Sequence, residues 1–198
     1  GLMHGKELGF TFSSLRSNDL IWQYVANSYL KGKSPPAFDM LYWNADSTNI
    51  PGPMFCWYLR NTYLENNLRV PNKLVNCGQP IDLGRLQIPT YVFAAREDHI
   101  VPWRAAYASA RTLPGNGKPG GVRYVLGASG HIAGTINPPS KNKRNFWVGA
   151  NDTLPANSEA WFNAAVEHPG SWWTDWSRWL ARHSGSQKPA PKRYGDGN

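Results

Sequence analysis

Thr90-Tyr91-Val92-Phe93-Ala94, followed by Arg96-Glu97-Asp98 and a helix opened by Pro102, has a counterpart downstream. There Val122-Arg123-Tyr124-Val125-Leu126 runs into Gly127-Ala128-Ser129-Gly130-His131. Each is a short β-branched and aromatic run closed by polar or glycine-bearing residues, the pattern of a strand ended by a loop. Parallel strands need a crossover, so two such runs separated by one helix predict a βαβ unit within an α/β fold with a parallel sheet and flanking helices. Ligands of open α/β sheets gather beyond the carboxyl ends of the strands, where Asp98 and His131 fall.

The texture differs before residue 86. There helical patterns alternate with Pro-, Gly- and Asn-rich connections and no sheet is expected. Ser17 is placed to cap a helix reaching Lys31, with Leu20, Ile21, Tyr24 and Val25 on one buried face, stopped by Gly32 and Pro35-Pro36. A second helix starts at Pro53 and passes Trp57, Leu64 and Leu68 to Pro71. Beyond Pro139, helical patterns cover Ser158–Glu167 and Ser171–Arg182. Trp172, Trp176 and Trp179 recur at helical spacing with Trp173 and Leu180 beside them, which predicts a helix docked on the core rather than a sugar-binding platform. The connection Pro114–Gly121 reads as a glycine-rich loop without phosphate-loop spacing, and residues 185–198 read as a flexible tail.

Composition narrows the functional classes. The 198 residues have a mean hydropathy of -0.52 and no apolar run near the ~18 residues of a membrane span. The 10 Trp, 9 Tyr and 7 Phe are too many for a disordered polymer. The net charge of +8 is spread along the chain without a basic arm, which argues against nucleic acid and suits an anionic small molecule. The two cysteines, Cys56 and Cys77, form no CxxC pair and make neither a disulfide scaffold nor a zinc finger, so a reducing cytoplasm is expected. No HExxH pair or shared helical face of ligands supports a metal, and no signal-peptide pattern opens the sequence.

Asp98 and His131 carry the chemistry. In nucleophile enzymes with an α/β core the acid and the histidine follow late strands in that order. A carboxylate there can orient an imidazole, whose reference pKa of about 6.5 suits proton transfer near neutrality. Adjacent His99 points the other way from Asp98 on an extended backbone, so His131 is the better base. Gly127, Gly130 and Gly134 allow a tight turn and a close substrate approach. The nucleophile is missing: neither Cys56 nor Cys77 has the glycines of a strand-to-helix elbow, both are expected to be inert core or loop thiols, and Ser129 follows Asp98 in the wrong order.

Five stretches carry a resemblance: Phe12 to Trp22, Pro51 to Arg60, Arg96 to Trp103, Gly127 to Pro139 and His168 to Trp173. Together they resemble the C-terminal part of class I polyhydroxyalkanoate synthases, over nearly the whole chain to about residue 184. The resemblance implies residues 1–86 as a helical cap or lid and residues 87–184 as the C-terminal half of an α/β-hydrolase core. It implies an acyltransferase in which a cysteine takes the acyl group of a 3-hydroxyacyl-CoA and CoA leaves, with no other cofactor. His131 is the implied base; Asp98 orients it, activates the substrate's 3-hydroxyl, or both; His99 is assigned to substrate binding. It further implies a homodimer through the cap and a cytoplasmic protein on polyester granules. The elbow cysteine of the family precedes the cap and is not expected in these residues, so the chain alone is expected to be inactive. Two other readings remain: an esterase or depolymerase of the same fold, and a silent granule-binding module.

Overall fold

The computed structural model describes residues 1–198 apart from 16, 36–45, 116–120, 192, 194 and 196–198. Pro36, most of the Pro114–Gly121 loop and the end of the expected tail therefore lie outside the described residues. The chain divides into two compact units, Gly1–Leu68 and Arg69–Asn198. Their boundary precedes the change of sequence texture near residue 86, because residues 69–86 form turns and a hairpin belonging to the second unit.

In the first unit, β1 (Leu2–Met3) pairs antiparallel with β2 (Ile50–Pro51), so the expectation of no sheet is corrected by this two-residue ribbon. Helix α1 spans Gly5–Leu15 and is followed by π-helical stretches at Asn18–Trp22 and Val25–Leu30. Ser17 is not a cap: its backbone is already helical, at φ -58 and ψ -33, and its side chain makes no capping bond. Gly32, at φ +62, takes the left-handed position that closes a helix without a Cβ penalty. Helix α2 spans Gly52–Tyr58 with Pro53 in its first turn and continues as a π-helical stretch to Leu64. It stops there rather than at Pro71, since Asn66 turns to φ 50. The expected buried face on residues 20–25 is not buried; Leu20 is 48% and Val25 37% exposed. Periodicity specifies which side chains share a face, while burial needs a partner layer.

The second unit opens with a hairpin of β3 (Val75–Asn76) and β4 (Gln79–Pro80). Cys77 and Gly78 form its turn with φ 48 and 74, the two positive values of a type I′ turn. A four-stranded sheet follows, ordered β5 (Thr90–Ala95), β6 (Val122–Gly127), β7 (Asn145–Val148), β8 (Val166–Pro169). β5 and β6 are parallel, Thr90 opposite Val122 through Ala95 opposite Gly127, joined through α3 (Trp103–Thr112) with Pro102 at its N-cap. This is the expected βαβ unit.

The rest of the sheet corrects the expectation of parallel strands, because β7 runs antiparallel to β6 and β8 antiparallel to β7. Between β6 and β7 the main element is α4 (His131–Thr135), of 5 residues. At 1.5 Å per residue it cannot carry the chain back along a strand rising about 3.3 Å per residue, so β7 starts from the end where β6 finished. β8 also replaces the end of the helix expected to reach Glu167. Helix α5 (Ser158–Ala164), capped by the Asn157 side chain, ends when Ala165 turns extended at ψ 145.

Side chains alternate across the sheet, and each face buries a layer. On one face Ala94, Tyr124, Leu126 and Trp147 meet Trp103, Tyr107 and Ala110 of α3 and Trp161 of α5. Burying each large apolar side chain there contributes roughly 1.5–3 kcal/mol. On the other face Val125, Phe146 and Val148 meet Trp172, with Tyr91, Phe93 and Trp173 against them. Helix α6 (Trp173–Ala181) is docked there, as the tryptophan spacing predicted. Asp175 of α6 accepts from Nε and Nη2 of Arg123 at 2.8 and 2.6 Å and from Tyr91 Oη at 3.0 Å. Tyr91 and Arg123 are partners in the β5–β6 register, so one carboxylate ties the helix to two strands.

Candidate active site

The loops after β5 and β6 are bonded to each other. Arg96 N donates to Gly127 O at 2.8 Å, and Glu97 N to Ser129 O at 3.0 Å. Ala128 N donates to Asn145 O at 3.0 Å, fixing the second loop to the start of β7. Ser129 sits at φ 80, a left-handed conformation uncommon for a residue with a side chain, and it turns the chain just ahead of His131. His131 is the first residue of α4, so its backbone is set by the helix start and its side chain by the loop.

These constraints bring the two residues into contact. His131 Nδ1 and Asp98 Oδ2 are 2.7 Å apart. The other carboxylate oxygen, Oδ1, accepts from Ile100 N at 2.8 Å and Val101 N at 2.9 Å, which fixes the plane of the carboxylate. The Asp98 side chain is 9% exposed and the His131 side chain 45%. Burial of Asp98 works against its charge, but bonds from Val101, His131 and Ile100 outweigh it and hold the carboxyl below the ordinary aspartate value. An ionised carboxylate only accepts, so Nδ1 must carry the proton and donate it, leaving Nε2 of a neutral ring with a free lone pair. The pair can therefore accept a proton at Nε2 and stabilise the resulting imidazolium.

His99 is exposed and takes no part in the Asp98–His131 hydrogen bonding. Cys77, in the type I′ turn, is an exposed loop thiol, one of the two expected settings, whereas Cys56 is exposed on α2 and is neither core nor loop. Neither stands on a strand-to-helix elbow. Arg96 stacks over Trp147 and Phe162, with its guanidinium carbon 5.1 and 4.8 Å from the ring centroids.

The packing and hydrogen-bonding roles of four residues named from the sequence were not legible there. Gly134 fits α4 against Ala95, and Gly127 leaves room for Phe93, whose ring would lie 2.7 Å from an added Cβ. Trp172 Nε1 donates to Gly134 O and Trp173 Nε1 to Thr135 O, both at 3.0 Å. The tryptophans were visible only as helix periodicity; the one available signal for β7 was the short run Phe146-Trp147-Val148.

Residues 3–138, which include both strands leading to Asp98 and His131, match a family model described as alpha/beta hydrolase fold. The chain belongs to the α/β-hydrolase fold family. It is 56% identical over 195 residues to poly(3-hydroxyalkanoate) polymerase subunit PhaC of Cupriavidus necator, covering 98% of this chain and 32% of that protein. It is 44% identical over 193 residues to poly(3-hydroxyalkanoate) polymerase of Methylorubrum extorquens, covering 96% and 30%. It is 41% identical over 196 residues to poly(3-hydroxyalkanoate) polymerase 2 of Ectopseudomonas oleovorans, covering 99% and 34%. The chain thus spans about a third of the length of these curated relatives. Among the described residues no helix is long and apolar enough to cross a membrane.

Proposed function

We propose that this α/β-hydrolase chain is the part of a polyhydroxyalkanoate synthase that supplies the acid and the base of acyl transfer. The observation that carries the proposal is the 2.7 Å contact between Asp98 and His131, with the carboxylate anchored by two backbone amides. The identity to proteins named poly(3-hydroxyalkanoate) polymerase supports the proposed substrate class, a 3-hydroxyacyl-CoA thioester.

In the proposed reaction His131 Nε2 takes the proton of a cysteine thiol that neither Cys56 nor Cys77 provides. The thiolate attacks the thioester carbonyl, the bond to CoA sulfur breaks, and the imidazolium returns its proton to the departing CoA thiolate. In the next half-reaction Nε2 takes the proton of a 3-hydroxyl, whose oxygen attacks an acyl thioester; the C–S bond breaks, the departing thiolate takes the proton back from the imidazolium, and the polyester is one unit longer. Asp98 keeps the ring in the tautomer that leaves Nε2 free. CoA is a leaving group and the proposed chemistry needs no other cofactor. His99, exposed beside Asp98, is proposed to touch the substrate.

Residues 1–86 are proposed as a cap over the site and a homodimer contact. Exposed Trp22, Tyr29 and Leu64 support an apolar role for these residues. A cytoplasmic location on polyester granules belongs to the same proposal.

The test is turnover of 3-hydroxybutyryl-CoA by the full-length enzyme containing this sequence. CoA release with polymer as the product is expected. Free 3-hydroxybutyrate would favour an esterase or depolymerase, and granule binding without turnover a silent module. Efficient polymerisation by the isolated 198 residues would overturn the assignment of the nucleophile elsewhere.

A further inference from the structure

We infer that Ser171-Trp172-Trp173, at the start of α6, is a positioning element for His131, an inference that rests on the proposed role of His131 as the base. The need for such an element follows from α4. Its 5 residues are far fewer than the roughly 12–15 at which an isolated helix becomes even marginal in water. Bonds to its flanking residues close each end: Gly134 N donates to Gly130 O at 2.7 Å and Ile136 N to Ile132 O at 2.8 Å. The last carbonyls of a helix have no partner within it. The direction in which α4 presents its first residue therefore depends on what holds its far end.

Three consecutive side chains hold that end. Trp172 Nε1 donates to Gly134 O and Trp173 Nε1 to Thr135 O, each at 3.0 Å. The Ser171 hydroxyl donates to Asn137 O and accepts from Trp173 N. Asn137, itself buried, donates through Nδ2 to Lys143 O at 3.1 Å and ties the following turn to the same anchor. The anchor is stiff because the Trp172 ring stacks on Phe93 of β5, with centroids 4.0 Å apart and planes at 17°. The strand that leads to Asp98 thus also seats the indole that fixes the helix of His131. Acid and base are referenced to one strand by two routes, the direct hydrogen bond and the path through Phe93 and Trp172.

A base displaced by about 1 Å can lose about 10²-fold in rate without loss of fold. Phenylalanine at positions 172 and 173 keeps an aromatic ring and removes the N–H donors together with part of the indole's volume, so the melting temperature is recorded beside the resonance. In the full-length enzyme, Trp172→Phe/Trp173→Phe is expected to lower kcat about 10²-fold with KM changed less than twofold. With 15N-labelled histidine, the downfield proton resonance of His131 Nδ1 donating to Asp98 is expected to weaken or shift in this variant and to stay in place in Trp176→Phe, on the same helix. Ser171→Thr, which keeps the hydroxyl, is expected to retain more of the signal than Ser171→Ala. If the double variant does not fold, Trp173→Phe alone, at a half-exposed position, carries the same expectation with a smaller change.

An unchanged resonance in the tryptophan variants overturns the inference, whether or not kcat falls, because the effect then bypasses His131. A melting temperature that falls while the resonance stays assigns the segment a structural role only, and also overturns it. Should the unaltered enzyme release no CoA from 3-hydroxybutyryl-CoA, the polymerase proposal fails, and the resonance still decides the positioning.

Discussion

Gly134 packs so closely on Ala95 that a Cβ added to the glycine would stand 2.7 Å from the alanine methyl and 3.0 Å from Ala128 O. Neither neighbour is the far end of a flexible side chain. Gly134→Ala should gain the roughly 0.5–1 kcal/mol that alanine brings to a helix and lose the roughly 1–3 kcal/mol of overpacking. The clash wins, α4 shifts outward and His131 moves with it. Urea denaturation should show a net loss of about 1–2 kcal/mol, and CoA release should fall by more than this stability loss explains.

Removing the acid or the base should separate chemistry from folding. In the full-length enzyme, His131→Ala and Asp98→Asn should each slow CoA release by about 10²–10⁴, the usual worth of general base assistance. Solubility and elution volume on gel filtration should stay unchanged. Wild-type release by either variant would remove that residue from the mechanism.

The depressed carboxyl of Asp98 links stability to pH. Its unfolded value is about 3.9 and its folded value lies lower. The unfolded chain therefore binds the proton first, so the contribution is complete above the unfolded value and is lost as pH falls through the folded one. Asp175, held low by Arg123 and Tyr91 against the opposing effect of burial, adds to the same acid limb. Melting temperatures recorded downward from pH 6 should drop more gently in Asp98→Asn than in the unaltered protein.

Docking of α6 through Arg123 can be tested without touching the site. Asp175→Asn removes the charge that accepts two guanidinium donors and a phenol, and should cost about 1.5–3 kcal/mol. Arg123→Lys keeps the charge but cannot reproduce the fork, and should cost less. A shift below 0.5 kcal/mol for Asp175→Asn in chemical denaturation would show that the docking is apolar.

The central βαβ unit was legible because both of its strands are rich in β-branched and aromatic residues and Pro102 marks the helix start. Asp98 and His131 were legible because they close those strands. The antiparallel half was not. β7 offers three apolar residues, too few to tell from a buried turn, and Val166–Pro169 continues the polarity of the helix before it. The apolar residues Leu20 and Val25 predicted a buried face, but burial depends on what lies against it, and both lie exposed in π-helical stretches. The indole bonds to α4 join residues 38 positions apart, and no local pattern encodes a donor that far from its acceptor.

The two margins of the sheet are not equally guarded. At one margin β8 bears Glu167 and ends in Pro169, a charge and a missing donor that discourage further pairing. At the other, among the described residues β5 pairs with β6 alone and consists of six uncharged residues with no proline, Thr-Tyr-Val-Phe-Ala-Ala. A border of that composition is a template onto which extended polypeptide adds, residue by residue, through main-chain amides. For a sample of these 198 residues alone at high concentration, self-association through β5 is the expected outcome, and a lysine introduced along that border should disperse it.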